Sequence, residues 1–270
     1  MKFQLKALAA AAILAASIPA QAAFDTGVTG NGSLLLTVLD RVNGVSALFD
    51  LGKSYSEFNV TGSDFANSGI TSIASPITWN LATDANYSGA WNALFANSAV
   101  LGNLQYGIMA TDSVGGVNVG DIGYISTWKS GVANFANASL ITAGGNFDTY
   151  ASNNTVNGVF DSHTTFANGA DVTKTAGALA TIFYPTSGRG GSTSGPVVMG
   201  NIGTSMGVVQ IVTGATAFSS QTIFGNGATF SLSNTGSLVY SVAAVPEADT
   251  WAMMMLGLGF MGFVARRKQA

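Results

Sequence analysis

GSLLLTVLDRVNGVSALFDLG, residues 32–52, holds two apolar runs on either side of a short polar break. Arg41-Val42-Asn43 separates GSLLLTVLD from GVSALFDLG, and the pattern reads as two strands joined by a short turn. LQYGIMATD, residues 104–112, alternates Leu104, Tyr106, Ile108 and Ala110 on one face, the period of a half-buried strand. MGVVQIVTG, residues 206–214, is another strand. ATFSLSNTGSLVYSV, residues 228–242, sets Phe230 and Leu232 before a Ser-Asn-Thr-Gly turn and Leu238, Tyr240 and Val242 after it, which is a hairpin.

One stretch follows a different period. SGAWNALFANSAVLG, residues 88–102, puts Trp91, Leu94, Phe95 and Ala99 at helical spacing. A helix is predicted near residues 89–101, with Ser88 as its N-cap and Gly102 as the residue that ends it. TWKSGVANFANAS, residues 127–139, is a weaker helix candidate through Trp128, Val132 and Phe135, interrupted by Gly131. Many short strands with one or two helices predict a mainly β fold, an antiparallel sandwich or jelly-roll-like domain.

Composition agrees with that class. Only 9% of the 270 residues are charged, against about 25% in an average soluble domain. Hydrophobic residues make up 47% and there are 34 glycines, so the polar surface falls to Ser, Thr, Asn and Gly. The chain has no Cys, which excludes thiolate catalysis, zinc-thiolate sites and disulfides. Residues 23–244 carry five bases against eleven acids, a net charge of −6. An acidic surface without basic clusters argues against nucleic acid, whose binding needs Lys and Arg at the phosphates.

The N-terminus reads as a secretory signal peptide over residues 1–22. Lys2 and Lys6 precede an apolar run from Ala7 to Ile18, Pro19 ends the helix, and Ala20-Gln21-Ala22 supplies small residues at the −3 and −1 positions. Cleavage is expected between Ala22 and Ala23, by signal peptidase after passage through the secretion machinery. The apolar run is too short to span comfortably as an uncleaved anchor, because a spanning helix needs about 20 apolar residues.

The C-terminus, VPEADTWAMMMLGLGFMGFVARRKQA at residues 245–270, has three parts in order. Pro246-Glu247 comes first. An unbroken run of apolar residues and Gly follows from Trp251 to Ala265, within a transmembrane helix expected at about 249–267. Arg266, Arg267 and Lys268 close it, and by the positive-inside tendency they stay in the cytoplasm. Pro246 is tolerated at a helix start, and Glu247 and Asp249 suit the positive end of the helix dipole.

This order resembles the PEP-CTERM sorting signal of Gram-negative bacteria. Val245, Pro246, Glu247 and Ala248 stand at the motif, with one departure: Ala248 occupies a position where the family carries Pro. The resemblance implies an exosortase, an integral membrane enzyme that recognises and removes the tail. It also implies association with exopolysaccharide production and biofilm. The expected course is an inner-membrane-anchored precursor, then a cell-surface or extracellular-matrix protein. A permanent single-span anchor is the alternative that spanning physics allows.

The delivered domain, residues 23–244, offers few chemical motifs. His163 is the only His, so a Ser-His-Asp site must use it. GTSMG, residues 203–207, fits the G-x-S-x-G pattern around Ser205, but His163 precedes the Ser and a strand follows it instead of a helix. SGRGGSTSGP, residues 187–196, lacks the ending of a phosphate-binding loop, and GGVNVGD, residues 115–121, lacks the acidic ligands of a calcium repeat. Asp50, Glu57, Asp64 and Asp84 are scattered singly, so spacing pairs no two of them for glycoside hydrolysis. Trp79, Trp91 and Trp128 suit either sugar stacking or core packing, and their apolar neighbours favour the core. No catalytic, cofactor-binding or metal-binding residue is assigned. The expectation is a non-catalytic surface or matrix protein, with a secreted hydrolase of matrix polymers as the alternative.

Overall fold

The computed structural model describes residues 25, 27, 30–58, 76–98, 102, 104–114, 118–129, 136–156, 171–173, 198–224, 227–242, 253–258 and 261. In chain order the elements are β1 (Ser33–Asp40), β2 (Val45–Ser54), α1 (Tyr55–Phe58), β3 (Ile77–Asn80), α2 (Ser88–Asn97), β4 (Leu104–Asp112) and β5 (Gly123–Trp128). They continue with α3 (Asn137–Val156), β6 (Asp171–Thr173), β7 (Gly200–Asn201), β8 (Ser205–Val212), β9 (Ser220–Ile223), β10 (Thr229–Leu232) and β11 (Ser237–Ser241).

The first hairpin forms where the sequence predicts it. Asp40 makes the turn: its carboxylate accepts from the backbone N–H groups of Val42 and Asn43 and from the Asn43 side chain. Burial pushes the Asp40 carboxyl up, but these bonds and one from Ser98 outweigh it and hold the group below its ordinary range. The last hairpin closes on Ser233–Gly236. Gly236 stands at φ 82°, and a β-carbon there would sit 2.9 Å from both Ala82 and Trp91, so this turn requires glycine.

All the described strands join one antiparallel sheet in the order β3-β11-β10-β8-β5-β4-β1-β2-β6, with β7 beside β4 and β9 beside β8. The mainly antiparallel β class expected from sequence is present. In place of the two packed sheets of a sandwich or jelly roll, the described strands form one sheet that curls until its ends nearly meet. Trp79 on the first strand donates its indole N–H to the Leu51 carbonyl on β2, next to the far edge, at 2.9 Å. Tyr87 donates to the Asp50 carbonyl on the same strand. Across the interior the Tyr106 hydroxyl reaches the carbonyls of Thr204 and Phe230, at 2.6 and 2.9 Å.

Both faces of the central strands are buried. Leu34, Leu36 and Val38 of β1 point inward to Phe49, Tyr106, Phe230 and the α2 residues Trp91 and Leu94. Leu35 and Leu39 point outward, with Leu48, Met109 and Tyr124, against Leu140, Phe147 and Ala151 of α3. The Leu34-Leu35-Leu36 run is therefore a strand covered on both sides.

Two helix expectations need correction. Around α2, Ser88 is the first helical residue and not the cap; Tyr87 holds the N-cap position without a side-chain cap bond, and the helix ends at Ser98, short of Gly102. The 127–139 candidate places Trp128 in a helix, whereas Trp128 ends β5 and α3 starts at Asn137. Residues 130–135 lie outside the described residues.

The sequence conceals α3 because Gly144-Gly145 and β-branched residues weaken its helical propensity. Tertiary packing explains Gly144. A β-carbon there would lie 2.4 Å from the Tyr124 hydroxyl, which donates to the Leu140 carbonyl. Gly144 thus lets the helix sit against β5, whereas a β-carbon at Gly145 meets nothing within 4 Å. Gly144→Val is expected to destabilise the protein by about 1–3 kcal/mol through overpacking. Gly145→Ala is expected to stabilise it by up to about 1 kcal/mol through helix propensity. Denaturant midpoints of the two variants check the contrast.

Candidate processing site and buried polar groups

The C-terminal tail leaves the domain from β11, a strand held on both sides by β10 and β3. Phe230, Leu232, Leu238 and Tyr240 of the final hairpin are fully buried, so the domain is packed up to the point where the tail departs. Val242 still packs on the core. Val245, Pro246, Glu247 and Ala248 lie outside the described residues, as do Arg266, Arg267 and Lys268. Of the span expected at 249–267, residues Met253–Leu258 and Met261 are helical. The side chains of Met253, Met254, Met255, Leu256, Leu258 and Met261 are all exposed. A helix apolar around its whole circumference has no polar face to give to water. Among the described residues no helix is long and apolar enough to cross a membrane.

A family comparison identifies this region: the PEP-CTERM protein-sorting motif matches residues 244–268. The chain carries a PEP-CTERM sorting motif. That motif marks an exosortase-targeted secreted protein, whose membrane-anchored precursor is processed for export by an exosortase-type enzyme. No curated protein and no solved structure matches the chain.

At the other end, Ala22 and Ala23 lie outside the described residues. Among the described residues, Asp25 makes the first hydrogen bonds to the domain. The Asp25 carbonyl accepts from the Ser33 backbone, and the Asp25 N–H donates to the Ser33 hydroxyl.

The remaining sequence candidates lie in different elements or beyond the described residues, although Asp50 and Asp84 both stand near enough to Tyr87 for their charges, after burial, to raise its pKa. Ser205 is the exposed first residue of β8, opposite Ser231, and a tight turn at Ile202–Thr204 joins it to β7. That strand–turn–strand setting differs from the strand–turn–helix of a nucleophile elbow. His163, Asp64 and the 187–196 loop lie outside the described residues. Glu57 is tied to Lys53 at 2.8 Å and to the Ser54 backbone; burial raises its pKa slightly, and these partners more than reverse it. Asp50 accepts from the Ser33 hydroxyl and the Gly52 N–H, but burial outweighs both and raises its pKa. Asp121 caps its own turn through Asn118. Trp79 and Trp91 are buried in the core, and Trp128 packs against the outer cluster. Among the described residues no three His, Cys, Asp or Glu side chains gather as a metal site.

Sequence reasoning passed over Asp148 on α3. Its carboxylate Oδ1 accepts from the Gly27 N–H at 3.1 Å, and it is only 7% exposed. Its Oδ2 has no hydrogen-bond partner, and neither has the Thr111 hydroxyl or the Ser113 hydroxyl. These groups converge on Gly27. A β-carbon on that glycine would lie 2.1 Å from Thr111 Oγ1 and 2.9 Å from Ser113 Oγ. Burial raises the Asp148 pKa; the Gly27 N–H and the nearby Ser113 hydroxyl, which stands outside hydrogen-bonding geometry, pull it part-way back. The isolated Asp148 carried no signal in the sequence, because its neighbours arrive from elements about forty and more than a hundred residues away.

Proposed function

We propose that the protein is an exported, non-catalytic component of the cell surface or extracellular matrix of a Gram-negative bacterium. An exosortase-type enzyme sorts it and removes its tail, and the delivered β domain associates with exopolysaccharide in the biofilm. The observation that supports this reading is the position of the motif. It begins at residue 244, directly after β11 ends at Ser241, so tail removal spares every strand of the sheet. The acidic, weakly charged domain suits a hydrated polymer layer better than a nucleic acid.

The test is fractionation of the native protein from cells that make the polymer and from cells that do not. The expected result is co-fractionation with the polysaccharide in the first case and release into the medium in the second. The protein recovered from outside the cell is expected to leave purified polymer at full length. Depolymerisation lost in His163→Ala would replace this reading with that of a secreted hydrolase.

A further inference from the structure

The groups around Asp148 share one electrostatic problem. A buried carboxylate is stable when a partner neutralises it or a cation binds it. Among the described residues the bases are Arg41, Lys53 and Lys129. Arg41 bonds to Gln105, and the one ion pair among these residues joins Lys53 to Glu57. Lys129 is exposed just beyond β5. No described base forms an ion pair with Asp148.

The oxygens around it point to the missing partner. Asp148 Oδ2, Thr111 Oγ1 and Ser113 Oγ are all buried and all lack hydrogen-bond partners. Carboxylate and hydroxyl oxygens are hard ligands and suit hard cations. The site holds one carboxylate, so a monovalent ion makes it neutral, while a divalent ion leaves a net positive charge in a low-dielectric setting. We propose that Thr111, Ser113 and Asp148 form a binding site for a monovalent alkali cation of sodium type, set between β4, α3 and the first residues of the exported domain.

Such an ion fastens the beginning of the domain. Gly27 donates to Asp148 from one side and accepts from the Ser113 N–H on the other, while the Gly32 N–H donates to the Thr111 carbonyl. Gly27 and Gly32 are thereby bound to Asp148, Ser113 and Thr111, the residues that would hold the cation.

The experiment is thermal unfolding of the protein recovered from outside the cell, in sodium chloride and in choline chloride at equal ionic strength, at pH 8. At pH 8 the melting temperature in sodium is expected to exceed that in choline by about 3–6 °C, the shift produced by about a tenfold excess over Kd in a domain of this size. The difference should vanish in Asp148→Asn, an isosteric neutral variant. Thr111→Val, which keeps the side-chain shape, should reduce it and serves if Asp148→Asn does not fold. Equal melting temperatures in the two salts at pH 8 would overturn the proposal and assign the site to a water molecule or a proton. A larger response to calcium chloride than to sodium chloride would overturn the monovalent assignment.

Discussion

Replacing Pro246 and Glu247 together by alanine is expected to leave export intact and to abolish removal of the tail. Export is expected to depend on the signal sequence read at residues 1–22, which the change does not touch. Recognition is expected to depend on the motif residues. Proline restricts its own φ and favours extended backbone in the residue before it, and Pro246 with Glu247 forms the core of the sorting motif. The double variant should accumulate as a full-length, membrane-bound precursor, indistinguishable in size from wild type in cells lacking the exosortase-type enzyme. Neutralising Arg266, Arg267 and Lys268 acts on a different step. Carrying each base through hydrocarbon costs about 2.5–3.5 kcal/mol on insertion scales, so their loss should weaken retention and orientation. Size and cell fraction, compared with and without the enzyme, separate the two effects. Trimming of the double variant at the wild-type rate would leave a plain membrane anchor as the better account.

Phe230→Ala is expected to cost about 3–5 kcal/mol of folding stability, the range for deleting a buried aromatic ring. Phe230 is fully buried inside the curled sheet. Its ring packs on Tyr240 at 5.0 Å and on Trp79 at 6.4 Å between centroids. Tyr240 lies on the neighbouring strand, and Trp79 also supplies the hydrogen bond that draws the first strand towards β2. Loss of the ring therefore loosens both the final hairpin and the closure of the sheet. Domains have total stabilities of about 5–15 kcal/mol, so the variant should be marginally folded and prone to proteolysis before it reaches the surface. A denaturant titration checks this, with Phe230→Leu as the milder control; a loss under about 1 kcal/mol would mean that the interior is not packed as described.

Among the described strands, β1, β2, β4, β8, β10 and β11 were legible because their signal is local, whereas β3, β5, β6, β7 and β9 were not read from the sequence. Asp40 and Asn43 mark the first turn, Ser233 and Gly236 mark the last, and β4 and β8 carry their own apolar runs. The single curled sheet was not legible, because closure rests on Trp79 meeting Leu51 and on Tyr106 meeting Phe230, pairs far apart in the chain. One clue was available: three consecutive leucines at 34–36 fit a strand buried on both faces better than one with a wet side. The helix that covers the outer face was hidden by Gly144, which serves Tyr124 rather than helix propensity. The tail was legible because sorting is read from a linear motif and an apolar run: the motif matches residues 244–268, against 245–270 read from the sequence. Asp148 was not, because its partners come together only in three dimensions.

Intact-mass measurement of the protein recovered from outside the cell tests the central claim most directly. The account predicts a chain that begins at Ala23 and has lost a C-terminal segment containing Arg266, Arg267 and Lys268, while the β domain through Ser241 is whole. A released protein that begins at Met1, or that still carries residues 245–270, would contradict it.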